Sequence, residues 1–299
     1  MSPALKVRLP SGRTVGYAEF GDPTGFPILA LHGAPACREM FAWADLAARE
    51  QGLRLVAPDR PGYGLTPAET VVMSLKSMTA WLDEFAASLS LGRFGVLGIS
   101  GGAPYAVALA ARMGPRATAL AIASPLGPVA EYAELHGRAA LHPGHRYFFL
   151  GLPSAPRLLG LLGHLSARAF RRAPQTIGGL LMRLAGPSDA VTLARPEVRA
   201  FLIQMTLEAF RAGGQGGVQD MVIFSQPWGV NYRQIVCPAI LWQGDGDRIV
   251  PAEVSTHLAQ LIPHCRLERL TGAGHFWVLD HTDEVIAALR SLIDTRQDV

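Results

Sequence analysis

Two short runs, Ile28 to Leu31 and Phe94 to Ile99, are apolar without alternation, and two more, Leu53 to Ala57 and Ala117 to Ala123, are each broken by a single polar residue. Runs of this kind are strands covered on both faces. Stretches with helical spacing separate them. Arg38 to Gln51 carries Met40, Phe41, Trp43, Ala44 and Ala47 on one side. Leu75, Met78, Leu82, Phe85 and Leu89 follow Ser74, a helix-capping residue, and Ala103 to Met113 is a third helix. Strands alternating with such helices build βαβ units. The expected fold is therefore α/β, a mostly parallel central sheet flanked by helices. Leu5 to Pro10 and Thr14 to Phe20, split by Ser11-Gly12, are expected as two leading strands.

The rhythm stops at Ser124-Pro-Leu-Gly-Pro128 and resumes at Pro238 with a strand, Ala239 to Trp242, a helix, Ala252 to Leu261, a strand, Arg266 to Leu270, and a helix, Asp283 to Ile293. The chain is thus expected to form one core domain from residues 1–125 and 237–299, with residues 126–236 as a helical cap inserted in it. Two apolar stripes mark the cap: Leu158, Leu159, Leu161, Leu162, Leu165 and Phe170, then Val198, Phe201, Leu202, Met205, Leu207 and Phe210. Both are expected to pack against the protein. A basic amphipathic helix over Pro156 to Arg172 also fits a membrane surface, which ranks below packing. Gly213-Gly-Gln-Gly-Gly217 reads as a short flexible joint.

The formal net charge of +3 is too weak a bias for nucleic-acid binding. Three cysteines without short spacing exclude a disulfide scaffold and a cysteine-type zinc site. The N-terminus has no apolar signal-peptide run and no stretch is long enough to span a membrane, so a cytoplasmic protein is expected. The cap holds 11 arginines and 6 acids, which favours anionic substrates only if those arginines are more than a solvated face.

The residues that carry chemistry begin at Gly98-Ile-Ser-Gly-Gly102, between a strand and a helix. A serine on so tight a turn projects above the sheet edge, and side chains two positions away on either side would collide with the turn. The helix behind it aims backbone N–H groups at developing negative charge. A serine hydroxyl needs a base. Gly272-Ala-Gly-His275-Phe-Trp supplies one, between the last strand and the last helix. The base needs a carboxylate to fix its tautomer. Asp245 and Asp247 both close the strand from Ile240, and Asp247 is the choice because it leads into Arg248-Ile-Val-Pro251, leaving Asp245 structural. Asp280 is expected to start the last helix. Leu31-His-Gly-Ala-Pro35 follows an early strand, so Ala34 and Gly101 N–H groups are the candidate oxyanion donors. His142 and His145 have metal-like spacing without a matching carboxylate, and no metal site is expected.

In their order, Leu31-His-Gly-Ala-Pro35, Asp59-Arg-Pro-Gly-Tyr-Gly64, Gly98-Ile-Ser-Gly-Gly102, Gly244-Asp-Gly-Asp247 with Val250-Pro251, and Gly272-Ala-Gly-His275-Phe276 resemble an α/β-hydrolase fold enzyme with a helical cap. Gln226-Pro-Trp-Gly-Val230 resembles a segment of many capped bacterial members. The resemblance implies Ser100 as nucleophile, His275 as base, Asp247 as its orienting acid, and Ala34 and Gly101 as oxyanion donors. It implies a cofactor-independent serine hydrolase acting on a small-molecule carboxylic ester or related acyl bond. A C–C bond hydrolase of diketone-type substrates and a small-molecule receptor with a slow triad are the alternatives. Members acting on halides or epoxides carry aspartate where this chain has Ser100, which disfavours those reactions. Gly33-Ala-Pro-Ala36 departs from the proline iminopeptidase pattern. The Asp59 to Gly64 segment is expected to be a structural loop without chemistry. His32 is expected to hydrogen-bond its loop and, with Phe148, Met205, Trp228 and Phe276, to stand near the bound substrate, in a pocket to which Phe149, Met182 and Phe224 are further candidates.

Overall fold

The computed structural model describes residues 4–295. Eight strands form one sheet in the order β1-β2-β4-β3-β5-β6-β7-β8. They are β1 (Leu5–Arg8), β2 (Thr14–Gly21), β3 (Phe26–Leu31), β4 (Leu53–Pro58), β5 (Phe94–Ile99), β6 (Ala117–Ala123), β7 (Ala239–Gly244) and β8 (Cys265–Leu270). β1 and β2 pair antiparallel, β2 runs antiparallel to β4, and every other neighbour is parallel. Every residue of β5, β6 and β7 is buried, which is why these strands lack polar alternation.

Helices α1 (Asp45–Glu50), α2 (Leu75–Ser88) and α3 (Ala103–Met113) lie within the first half of the chain, and α11 (Ala252–Leu261) and α12 (Thr282–Asp294) within the last part. α2, α3 and α11 bury Met78, Leu82, Phe85, Leu109 and Leu258 in one core cluster. α1 and α12 bury Ala48, Val285, Leu289 and Ile293 in a second. Ser74 caps α2, its hydroxyl accepting from Ser77 N–H at 3.2 Å.

Between β6 and β7 the ordered chain is helical: α4 (Val129–His136), α5 (Pro143–Arg146), α6 (Pro156–Arg172), α7 (Pro174–Leu184), α8 (Ala190–Ala194), α9 (Pro196–Ala209) and α10 (Gln215–Phe224), with short 3-10 and π turns. This insertion meets loops at the C-terminal ends of the strands. Phe224 reaches Gly101, Asp189 reaches His275, and α10 lies against Tyr63.

Four expectations are corrected. Arg38 to Gln51 is not one helix: a 3-10 segment, Arg38–Ala44, precedes α1. Arg38 is pinned to Asp59 and Trp43 Nε1 to Leu279 O at 2.7 Å, and these tertiary ties override the local preference. The glycines from Gly213 are no loose joint. α10 begins there, and a Cβ at Gly216 would stand 2.6 Å from the Tyr63 ring, so a close approach needs that glycine. Asp280 does not start α12. Its carboxylate accepts from Thr192 Oγ1 and pairs with Arg195, tying the insertion to the core. Of the first apolar stripe only Leu159 and Phe170 are buried, whereas Leu158, Leu161, Leu162 and Leu165 face solvent. The second stripe does pack, with Val198, Leu202, Met205 and Phe210 buried.

Candidate active site

β5 ends at Ile99, and Ser100 turns the chain toward α3 with φ of +54°. A residue with a side chain occupies that left-handed region at a cost of about 1–2 kcal/mol. The turn closes tightly because Gly98 and Gly102 flank it. A Cβ at Gly98 would stand 2.7 Å from Ala106 Cβ, and one at Gly102 would collide with the Leu31 carbonyl.

Ser100 Oγ lies 2.9 Å from His275 Nε2, and His275 Nδ1 lies 2.7 Å from Asp247 Oδ2. Asp247 Oδ1 also accepts from Ile249 and Val250 N–H at 2.8 and 3.1 Å. Burial alone would raise the Asp247 carboxyl, but the His275 charge, its hydrogen bond and the two backbone donors outweigh burial and hold it below the usual carboxylate range. Burial likewise pulls the His275 imidazole down, yet the Asp247 charge and hydrogen bond, aided by Asp189, leave it above its ordinary value. A serine hydroxyl, a basic imidazole and an ionised carboxylate in series can move a proton off the serine oxygen. Asp245 stands outside this chain, accepting from Gly272 N–H at 2.7 Å on the surface.

His275 is held from both backbone ends. Asp189, from the insertion, accepts from His275 N–H at 2.9 Å and from Phe276 N–H at 2.7 Å. Ser124 Oγ donates to His275 O at 3.0 Å and accepts from Trp277 Nε1 at 3.0 Å. Burial raises the Asp189 carboxyl against the opposing pull of its two N–H donors. Nothing in the linear pattern marks Asp189 or Ser124, because their partners lie far away in the sequence.

The loop after β3 runs beside Ser100. A Cβ at Gly101 would stand 3.3 Å from Ala34 N and 2.9 Å from Phe224 Cζ, so Ala34 lies against Gly101. Buried Arg60 clamps this loop. Its guanidinium donates to the carbonyls of His32 and Gly33, the latter at 2.9 Å. It pairs with Asp220 Oδ2 at 2.6 Å and lies 4.6 Å from the Tyr105 ring centroid. Tyr63 and Tyr105 hydroxyls donate to Asp220 at 2.8 and 2.5 Å. Burial first, then the Asp220 charge, raises both phenols well above their ordinary value. The Asp59 to Gly64 loop is therefore structural as expected, but its arginine and Asp220 shape the site's backbone.

The other expected pocket residues take varied places. His32 hydrogen-bonds its loop as expected but is corrected as a pocket residue, because it has no exposed surface. Nε2 accepts from Arg60 N–H at 3.1 Å, and Nδ1–H donates to Gly33 O at 2.8 Å. Burial and the Arg60 charge hold it well below the ordinary histidine value, hence neutral. Phe276 stands beside the site, its ring 5.4 Å from that of His275. Met205 packs where the insertion meets the core, in a cluster with Ala36, Cys37 and Tyr63, its carbonyl near Cys37 Sγ. Trp228 is buried against the core, its backbone N–H donating to Glu131 Oε1 at 2.6 Å. Phe148 is half exposed and stacks edge-on with Phe149. Among the described residues no three His, Cys, Asp or Glu side chains gather as a metal-ligand set. His142 instead accepts from Gly144 N–H and His145 meets Arg248 O.

The chain is 25% identical over 299 residues to the uncharacterized hydrolase YcgS of Bacillus subtilis, covering 95% of this chain and 96% of that one. It is 24% identical over 263 residues to 2-hydroxymuconate semialdehyde hydrolase of Pseudomonas putida, covering 87% and 84%. An esterase from Exiguobacterium antarcticum superposes with a TM-score of 0.72 at 19% identity over 98% of this chain and 100% of that one, which shows a shared fold. The model of the alpha/beta hydrolase family matches residues 28–288. That span runs from β3 into α12 and takes in both the loop that Arg60 clamps and the hydrogen-bonded series from Ser100 to Asp247, so this chain belongs to the alpha/beta hydrolase family.

Proposed function

We propose that this chain is a cofactor-independent serine hydrolase that cleaves a carboxylic ester or related acyl bond through an acyl-enzyme. The observation that carries the reading is the series Ser100 Oγ, His275 Nε2, His275 Nδ1, Asp247 Oδ2, at 2.9 and 2.7 Å, on a serine held at φ +54°. His275 takes the Ser100 proton as Oγ bonds to the substrate carbonyl carbon. The carbonyl oxygen becomes an oxyanion, met by the N–H groups of Ala34 and Gly101, each worth about 3 kcal/mol of barrier. The imidazolium, stabilised by Asp247, gives its proton to the departing alkoxide, and the C–O bond breaks. Water then gives a proton to His275, attacks the acyl carbon and releases the acid, while the proton returns to Ser100. Residues 126–236 act as the cap, and Phe224 and Phe276 contribute apolar walls for the acyl group.

The test is labelling by a fluorophosphonate together with turnover of a panel of p-nitrophenyl esters. Labelling at Ser100 and ester turnover are expected. An unlabelled Ser100 with no ester hydrolysed would overturn the reading. The similarity to the Pseudomonas putida hydrolase favours a second reading, in which the same residues cleave a C–C bond of a diketone-type substrate. A diketone-type substrate turned over far faster than any ester would select it.

A further inference from the structure

α6 turns its apolar stripe the wrong way for packing. With about 100° between successive residues of a helix, Leu159, Gly163, Ala167 and Phe170 share one direction. Three of these are buried, and Gly163 lies against Val218 of α10. Leu158, Leu161, Leu162 and Leu165 centre on roughly the opposite direction and are exposed, Leu161 by 56%. α7 repeats the arrangement: its buried residue is Gly178, while Leu180, Leu181 and Leu184 face solvent, Leu184 by 68%. Exposed Val72 adjoins α6 across a surface hollow shared with Gly160 and His164. These are seven large exposed apolar side chains on two consecutive helices that pack on each other, a concentration of the kind that marks an interaction surface.

The charge around them is one-sided. No Asp or Glu occurs from residue 135 to residue 188, whereas seven arginines do. Arg157, Arg168, Arg171 and Arg172 of α6 and Arg183 of α7 are exposed. Of the insertion's arginines only Arg195 and Arg211 make ion pairs among the described residues. On α6 the arginines border the leucine stripe along one side. A second copy of this chain would bring the same unneutralised arginines against themselves, so charge disfavours a symmetric dimer on this face. The one acid lining that hollow, Glu69, is paired with Arg13 at 2.7 Å, so leucines bordered by unpaired arginines match an anionic bilayer surface, whose acyl boundary takes the leucines and whose headgroups take the guanidinium groups.

We propose that the α6–α7 face of the insertion docks on anionic lipid membrane, lying in the interface without crossing it. No described helix is long and apolar enough to span a bilayer.

The full chain is floated with vesicles of phosphatidylcholine alone and with vesicles that also carry phosphatidylglycerol, at low and high salt. Binding is expected only to the anionic vesicles, and weaker at high salt. Arg157→Gln with Arg168→Gln should lower partitioning by about fivefold per arginine. Leu161→Asp with Leu165→Asp should abolish it while leaving the far-ultraviolet circular dichroism and melting temperature unchanged, since both side chains are solvent-exposed. If that leucine variant misfolds, the arginine variant decides alone. Absence of binding, equal binding to both vesicle types, or full binding by the arginine variant would overturn the proposal. So would a dimer, detected by light scattering, that the leucine substitutions split, because the face would then belong to a second copy.

Discussion

Asp189→Asn tests whether the insertion helps to set the general base. Asp189 accepts two backbone donors, His275 N–H at 2.9 Å and Phe276 N–H at 2.7 Å. An asparagine has one carbonyl oxygen for those two N–H groups, and its amide nitrogen must face the other. One charge-assisted hydrogen bond, worth about 1.5–3 kcal/mol, is lost and a buried N–H is left without an acceptor. Urea unfolding should therefore show a loss of about 2–3 kcal/mol. The same loss frees the backbone that aims the imidazole, and a misplacement approaching an ångström costs about 10²-fold. A fall in kcat of about 10- to 100-fold on a p-nitrophenyl ester is expected.

The pH profile separates positioning from mere folding. His275 must be neutral to accept the Ser100 proton, so the acid limb of kcat/KM follows the imidazole. Burial lowers its proton affinity, while Asp247 first and Asp189 after it raise it. Removing the Asp189 charge disfavours the imidazolium, so the acid limb should move to lower pH in the variant. A variant with a reduced urea midpoint but unchanged kcat and an unmoved acid limb would refute the argument and leave Asp189 a structural peg.

Ser100→Ala or His275→Ala should each lower kcat by about 10⁴- to 10⁶-fold in steady-state ester assays, and an unchanged rate in both would remove the assignment. Asp247→Asn should cost about 10⁴-fold. Asp245→Asn should leave kcat near wild type and cost about 1 kcal/mol in urea unfolding, and the reverse ranking would transfer the orienting role to Asp245. Asp220→Asn leaves Arg60 buried without its ion partner and should cost about 3–5 kcal/mol of stability. If the clamped loop supplies an oxyanion donor as proposed, kcat should fall more than KM rises, and a folded variant with unaltered kcat would refute that role. Ser74→Ala, remote from the site, should cost about 1 kcal/mol through the lost α2 cap with no change in kcat.

The parts of this molecule that local rules govern were legible in the sequence. The strands β5, β6 and β7 announce themselves by apolar runs because both of their faces are covered, and the elbow at Ser100 by glycines that steric contact demands. The order of Ser100, Asp247 and His275 follows from the order of strand ends along one sheet edge. Tertiary ties were not legible. Helical periodicity marks the leucines of α6 as one face but carries no sign saying which way that face turns, and the structure points it outward. Asp280 sits where a helix-start acid belongs, yet its carboxylate is taken by Thr192 and Arg195 from the insertion. His32 reads as a pocket residue because it adjoins the oxyanion loop, but its ring is turned inward, Nε2 accepting from Arg60 N–H and its edge packed on Tyr63.

Asp189 and Asp220 belong together in a physical argument, although neither touches the reacting atoms. Each is a fully buried carboxylate contributed by the insertion, and each ends on backbone or side-chain groups of the core that aim the site. Asp189 fixes the peptide of the base, and Asp220 fixes the guanidinium that holds the carbonyls of the oxyanion loop. Lifting the insertion would expose both carboxylates to water and leave both targets without their partners. On the proposed roles, preorganisation of the base and of the oxyanion donors therefore depends on the same seated position of one segment. If that coupling holds, substitutions at Asp189 and Asp220 will not add. The double variant should lose less activity than the product of the two single losses, because the first substitution already loosens the seat on which the second depends. Full multiplicativity in kcat, measured as a double-mutant cycle, would show two independent struts.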